Sequence, residues 1–200
     1  MTAKPLLIVV SGPSGSGKGT LCAMLRQALP NLTYSVSATT RQPRPGERNG
    51  VDYFFITDAE FQQLIDRGEF LEWAEVYGHR YGTARPAVED HLRAGWDVLL
   101  EIDVQGALNV KKLYPDALLI FIEPPSLQEL GARIAHRGTE STQDLKVRMD
   151  CVLSELQAAD RYDHVVINDK PEYALAELLE IIRDAKNGSQ KQDVRGQKKI

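Results

Sequence analysis

Leu6-Leu-Ile-Val-Val10 runs without a break into Ser11-Gly12-Pro13-Ser14-Gly15-Ser16-Gly17-Lys18-Gly19-Thr20, and this stretch decides the fold. Five apolar residues with no polar alternation read as a strand buried on both faces. A glycine-rich loop follows at once and opens a helical pattern from Leu21 to Leu29. In that setting the glycines let the backbone curl so that successive N–H groups meet phosphate oxygens. The helix N-terminus adds the positive end of its dipole, and Lys18 reaches the β- and γ-phosphates. The expected ATP-phosphate cradle is Gly12, Pro13, Ser14, Gly15, Ser16, Gly17, Lys18, Gly19 and Thr20. It departs from the general P-loop pattern at Gly19, where a Ser or Thr hydroxyl usually meets Mg²⁺. Thr20 stands one residue later, so its hydroxyl is expected on a phosphate or a metal-bound water. Phosphates and water then hold most of the Mg²⁺ shell, which suits an ion that gives up its waters reluctantly.

Working outward, three more apolar runs resemble the first: 97–103 (DVLLEID), 117–122 (ALLIFI) and 164–168 (HVVIN), with helical patterns between them. Strands alternating with helices predict a parallel sheet joined by right-handed crossovers. The segment from about Tyr34 to Tyr81 breaks the rhythm. It contains a short β-like run, Tyr53-Phe-Phe-Ile56, beside a Pro/Gly loop, then one amphipathic helix, and so reads as an insertion with its own task. Ser126 with Glu129 forms a capping-box pattern that starts a helix whose buried face is Leu127, Leu130 and Ile134. A second helix is expected from Ser141 or Thr142, with Leu145, Met149, Val152, Leu153 and Leu156 on its apolar stripe. From Lys186 the chain turns polar and basic, and a disordered tail is expected over 187–200.

Two hundred residues with 42% hydrophobic content fit one α/β domain with insertions. The net charge of −4 excludes a general nucleic-acid binder, which needs excess Lys and Arg. Cys22 and Cys151 are far apart, and His79, His91, His136 and His164 do not cluster, so reduced thiols and no zinc are expected. Leu6 to Val10 is too short for a signal core or a membrane span, and a cytoplasmic protein is the expectation.

The acceptor is read from Ser35-Val-Ser37-Ala-Thr-Thr-Arg41-Gln-Pro43-Arg44-Pro45-Gly-Glu47. Two guanidinium groups in a proline-stiffened loop suit a dianionic phosphate. An isolated R-x-x-R is usually just two solvated charges, but these arginines are followed by Asp52-Tyr53-Phe-Phe, Phe70-Leu-Glu72-Trp73, Tyr81-Gly-Thr83 and Arg137-Gly-Thr-Glu140. Together these motifs resemble the guanylate kinase family, from the P-loop through about Asp169. The resemblance implies a P-loop NTPase fold with a five-stranded parallel core sheet flanked by helices, a GMP-binding insertion and a helical lid. It divides the chain into core (1–33), GMP-binding insertion (34–95), core (96–125), lid and adjoining helix (126–160), core (161–186) and tail (187–200). It further implies that ATP phosphorylates GMP or dGMP with Mg²⁺, that Arg41, Arg44, Tyr53 and Tyr81 hold the GMP phosphate, and that Ser37, Glu72, Thr83 and Asp103 surround guanine.

Guanine offers N1–H and a 2-amine as adjacent donors, which one carboxylate can accept together, whereas adenine has a bare N1 and no 2-amine. Glu72 placed there would reject adenine. Arg133 and Arg137 lie four apart on a face away from the apolar stripe. The resemblance brings them, with Arg148 and Lys18, onto the transferring phosphoryl group. Glu101 is assigned to water-mediated magnesium contact and Asp103 to the guanine side, though spacing alone allows the reverse.

Two other readings compete. Asp103-Val-Gln-Gly106 also fits the D-x-x-G pattern of regulatory GTPases, but no N-K-x-D occurs, Asn168-Asp-Lys170 having the wrong order. A catalytically silent binding module of the same fold would be expected to lack a working P-loop, and here Lys18 and its glycines are intact.

Overall fold

The structure is a computed structural model that describes residues 4–76, 78–136 and 152–188. Its main sheet is five-stranded and all parallel: β2 (Leu32–Tyr34), β7 (Asp97–Glu101), β1 (Leu7–Ser11), β8 (Leu118–Glu123) and β9 (His164–Ile167), in that spatial order. Ile8 of β1 pairs with Leu99 on one side and Leu118 on the other, so the strand that feeds the P-loop runs through the middle of the sheet.

The unbroken apolar runs follow from coverage on both faces. On one face Val9, Val98, Leu100, Leu119 and Phe121 meet Ala107 and Val110 of α4 (Val104–Leu113) and Val88 of α3 (Arg85–Arg93). On the other, Ile8, Val10, Leu99, Ile120 and Ile122 meet Leu21, Cys22 and Leu25 of α1 (Lys18–Ala28) and Leu178 and Ile182 of the C-terminal helix Pro171–Lys186. With successive residues of a strand pointing to opposite layers, both faces of the strand interiors are apolar and the polar residues fall at strand ends, as Ser11 and Asp97 do. The fifth strand, β2, contributes only three residues and leaves no run to read in the sequence.

The insertion carries a second sheet, in the order β4 (Phe54–Phe55), β3 (Ala38–Thr39), β6 (His79–Ala84), β5 (Phe70–Val76). Helix α2 (Asp58–Asp66) covers it and is opened by a full capping box between Thr57 and Glu60. Phe61 and Phe70 stack within 4.5 Å and make a small core of their own with Ala38. The alternating burial of β5, with Leu71, Glu72 and Ala74 buried and Trp73 exposed, interleaves a buried carboxylate with apolar residues, which hides it as a strand in the sequence. Leu71 of β5 and Val88 of α3 join the main core, so the two modules share side chains.

Helix α5 (Leu127–His136) begins as expected: the Ser126 hydroxyl accepts from the Glu129 N–H at 3.1 Å. Glu129 itself binds Arg133 instead of closing the box. Of the second helix expected from Ser141 or Thr142, residues 152–157 are helical (α6), and Val152 packs on Leu130; the C-terminal helix is thus α7. Arg137, Arg148, Gly138, Thr139, Glu140, Cys151 and the tail beyond Gly188 lie outside the described residues.

Candidate functional site

A cleft of about 820 Å³ lies at the carboxyl ends of β1 and β7, where open α/β sheets bind ligands. One end is walled by Gly12, Ser14, Gly15, Gly17, Lys18, Gly19 and Thr20. Gly12 (φ 144°) and Gly17 (φ 88°) stand in backbone conformations that L side chains rarely adopt, and a Cβ on Gly12 would come within 2.2 Å of the Ile122 carbonyl. Gly17 caps α1 without offering a side chain, and the first turn of α1 carries no acidic residue. By contrast, Asp103 accepts from the Gln105 and Gly106 N–H groups at the start of α4. The opening turn of α1 therefore presents N–H groups and a positive dipole end suited to an anion. Lys18, at the first helical position, reaches back to donate to the Gly12 and Pro13 carbonyls, the latter at 3.0 Å.

Asn168 has a role that sequence reasoning missed. Buried to 3% exposure at the end of β9, it donates to the Ser16 carbonyl at 2.7 Å and lies where a Cβ on Gly17 would fall. It holds the loop in shape. The only sequence signal is an Asn at the end of a buried strand.

The opposite end of the cleft is lined by Ser37, Arg44, Pro45, Tyr53, Glu72, Tyr81 and Asp103. Arg41 is fixed beside it by two bonds to Glu47 (3.0 and 2.9 Å) and lies over the rings of Tyr53 and Phe55. Glu47 also accepts from the Arg44 N–H at 2.7 Å, so one carboxylate pins both arginine positions. Tyr53 and Tyr81 meet edge to face with centroids 5.9 Å apart. The motif contains Glu47 but gives it no task; its place three residues after Arg44, across a Pro-Gly turn, is the available signal.

Glu72 is a buried carboxylate whose Oε1 accepts from the Thr83 hydroxyl at 2.6 Å, a pairing set by the antiparallel register of β5 and β6. Burial, with the charge of Asp103 adding to it, pushes the Glu72 carboxyl up to about 7, while Thr83's hydrogen bond pulls the other way. Thr83 thus spends its proton on Glu72. Ser37 is buried just before β3.

Glu101 and Asp103 have different neighbours because β7 ends at Glu101, and Asp103 already belongs to the start of α4. Glu101 lies beneath the P-loop, 3.5 Å from where a Cβ on Gly19 would stand and 3.5 Å from the Tyr34 hydroxyl. Asp103 sits beside Glu72. Among the described residues no three His, Cys, Asp or Glu side chains are grouped to hold a metal by themselves. Glu155 of α6 also lines the cleft; burial raises its carboxyl, and its Oε2 is buried without a hydrogen-bond partner. It lies on the helix read from the sequence as a mere apolar stripe. Arg133 is held in this structure by Glu129 at 2.6 Å and reaches the Asn168 carbonyl at 3.5 Å.

Known proteins similar to this chain point one way. The family model described as guanylate kinase matches residues 4–185. The chain is 51% identical over 177 residues to a guanylate kinase of Desulfitobacterium hafniense, covering 88% of each chain. It is 48% identical over 180 residues to one of Thermotoga maritima, covering 90% of this chain and 87% of that one. A crystal structure of guanylate kinase from Anaplasma phagocytophilum superposes with a TM-score of 0.78 at 32% identity, over 97% of this chain and 90% of that chain.

Proposed function

This chain belongs to the guanylate kinase family, and from that premise we propose how it moves the γ-phosphate of ATP onto GMP, giving ADP and GDP. The observation that carries the reading is the cleft itself, which joins a phosphate-binding loop at one end to a buried carboxylate, Glu72, at the other. ATP phosphates lie on the free N–H groups of the loop between Gly12 and Thr20, Pro13 having none to give, and Lys18 turns from the loop carbonyls to the β- and γ-oxygens. Arg41, Arg44, Tyr53 and Tyr81 hold the GMP phosphate. Glu47 and the aromatic rings fix Arg41 beforehand, so little side-chain freedom is lost on binding.

Guanine lies against Glu72, with Asp103 and Ser37 beside it and Thr83 orienting the carboxylate. dGMP presents the same base edge and is accepted with it. The GMP phosphate is already ionised and attacks without a general base, so catalysis comes from alignment and from cations around the transferring group. Arg133, Arg137 and Arg148 supply that charge, Arg133 by leaving Glu129. The family works with a divalent metal, taken here as Mg²⁺, which neutralises charge shared by the β- and γ-phosphates when bound. The carboxylate beside the P-loop, Glu101, fits that ion as a partner of its waters. No helix among the described residues is long and apolar enough to cross a membrane.

The test is nucleotide-dependent release of ADP from ATP. GMP should exceed AMP and UMP in kcat/KM by at least about a hundredfold, roughly 2.7 kcal/mol. Equal use of AMP would remove guanine from Glu72.

A further inference from the structure

We propose that Gly106 is a specificity-positioning residue: its missing side chain makes the space in which the Glu72 carboxylate is held for the guanine edge. The inference rests on Glu72 being the guanine acceptor. A Cβ on Gly106 would lie 2.3 Å from Glu72 Oε2, 3.0 Å from the Glu72 carboxyl carbon and 3.4 Å from Asp103 Oδ2. The backbone does not ask for glycine here, since Gly106 lies within the first turn of α4 and outside the left-handed region. Helices favour alanine over glycine at such a position. What glycine alone supplies is close approach, and what approaches is the carboxylate that reads the base.

The consequence divides fold from function. The atom in the way is the far end of a flexible side chain, so the protein can accept a methyl group by swinging Glu72 aside. Glu72 Oε1 is tied to Thr83 at 2.6 Å, however, and any such swing breaks that bond or tilts the carboxylate plane. Gly82 makes the opposite case. A Cβ there would meet the buried rings of Phe70 and Phe61 at 2.7 to 3.1 Å, which cannot swing aside, and the cost falls on folding. The D-x-x-G string that suggests a GTPase in the sequence is therefore used for something else: Asp103 caps α4, and Gly106 makes room for Glu72.

The experiment compares Gly106→Ala, Glu72→Ala and the double variant in melting temperature, in KM for ATP and GMP, and in preference for GMP over inosine monophosphate, which lacks the 2-amine. Gly106→Ala should raise the GMP KM at least about thirtyfold and collapse the preference over inosine monophosphate. The ATP KM should stay within about twofold, and the melting temperature should not fall. Because the added methyl group acts only through Glu72, combining Gly106→Ala with Glu72→Ala should change GMP use no further than Glu72→Ala does alone. If Gly106→Ala uses GMP as the wild type does while Glu72→Ala is impaired, the role of Gly106 is wrong and that of Glu72 stands. If Glu72→Ala keeps full preference for GMP, the acceptor reading itself fails. A lowered melting temperature, with a loss that persists in the Glu72→Ala background, makes Gly106 an ordinary packing position.

Discussion

At the proposed ATP end of the cleft the groups on offer are backbone N–H groups of the glycine-rich loop and the opening turn of α1, with Lys18 beside them, in a loop braced by Asn168. At the guanine end they are side chains gathered from β5, β6, the start of α4 and the residue before β3, with a buried carboxylate at their centre. Amides carry a fixed partial charge that neither titrates nor rotates away, so they would suit any phosphate. A carboxylate in a low-dielectric wall is selective because it is costly: it must be partnered, it can be protonated, and it can be displaced by a single methyl group. In the proposed function one end would supply binding that any nucleoside triphosphate could use, and the other would discriminate.

The largest expected effect breaks the first end. Lys18→Ala removes the one mobile charge in the P-loop and should lower kcat/KM at least about a thousandfold, near 4 kcal/mol, with an unchanged circular dichroism spectrum. A loss within about tenfold would mean that the amides suffice and that the two ends differ less than argued.

Next in size is Glu72→Gln, which keeps the volume and replaces one acceptor oxygen with a donor. Facing N1–H or the 2-amine with the wrong group should weaken GMP use by about 1–3 kcal/mol and leave the ATP KM nearly unchanged. Equal losses for both substrates would show that the ends are coupled rather than independent.

How far each end is legible follows from how it is built. A backbone site needs its glycines in one contiguous run, so residues 12–20 and the central strand before them can be read from spacing alone. A side-chain site needs no local pattern. Glu72 and Thr83 are eleven residues apart and meet only through the register of β5 and β6. Resemblance places them at the base, and the bond between them is invisible in the sequence. Asn168 and Gly106 escape for the same reason, since each acts on a residue far away in the chain. Strand β2, three residues long, and the mixed strand β5 escape because period and apolar run both need length.

The pH dependence sharpens the contrast further. Glu72 sits near 7 in the folded protein, above its ordinary value of 4.5. Burial favours its protonated form, so in the free protein this group's stabilising contribution is complete below about pH 4.5 and is lost as pH rises toward 7. GMP binding needs the carboxylate and should run the other way, tightening by up to tenfold per pH unit below 7 and levelling above it. Glu72→Gln should flatten both trends, leaving only the slope of the GMP phosphate, whose second ionisation lies near 6. Titrating calorimetry across pH 5.5–8.5 checks this, and a wild type and variant with identical slopes would refute it.

The smallest effect tests how the carboxylate is tuned. Thr83→Val keeps the shape and removes the hydroxyl that donates to Glu72 Oε1, leaving one buried acceptor short of a partner. Since that bond holds the Glu72 carboxyl down, its loss should move the pH midpoint of GMP binding upward. Near pH 6.5 the variant should bind GMP more weakly than the wild type; at pH 9, where both carboxylates are ionised, most of the gap should close. ATP binding at the amide-built end should not change at either pH. A deficit that is the same at pH 6.5 and pH 9 would mean that Thr83 touches guanine directly, and the discriminating end would then read the base through a hydroxyl as well as a carboxylate.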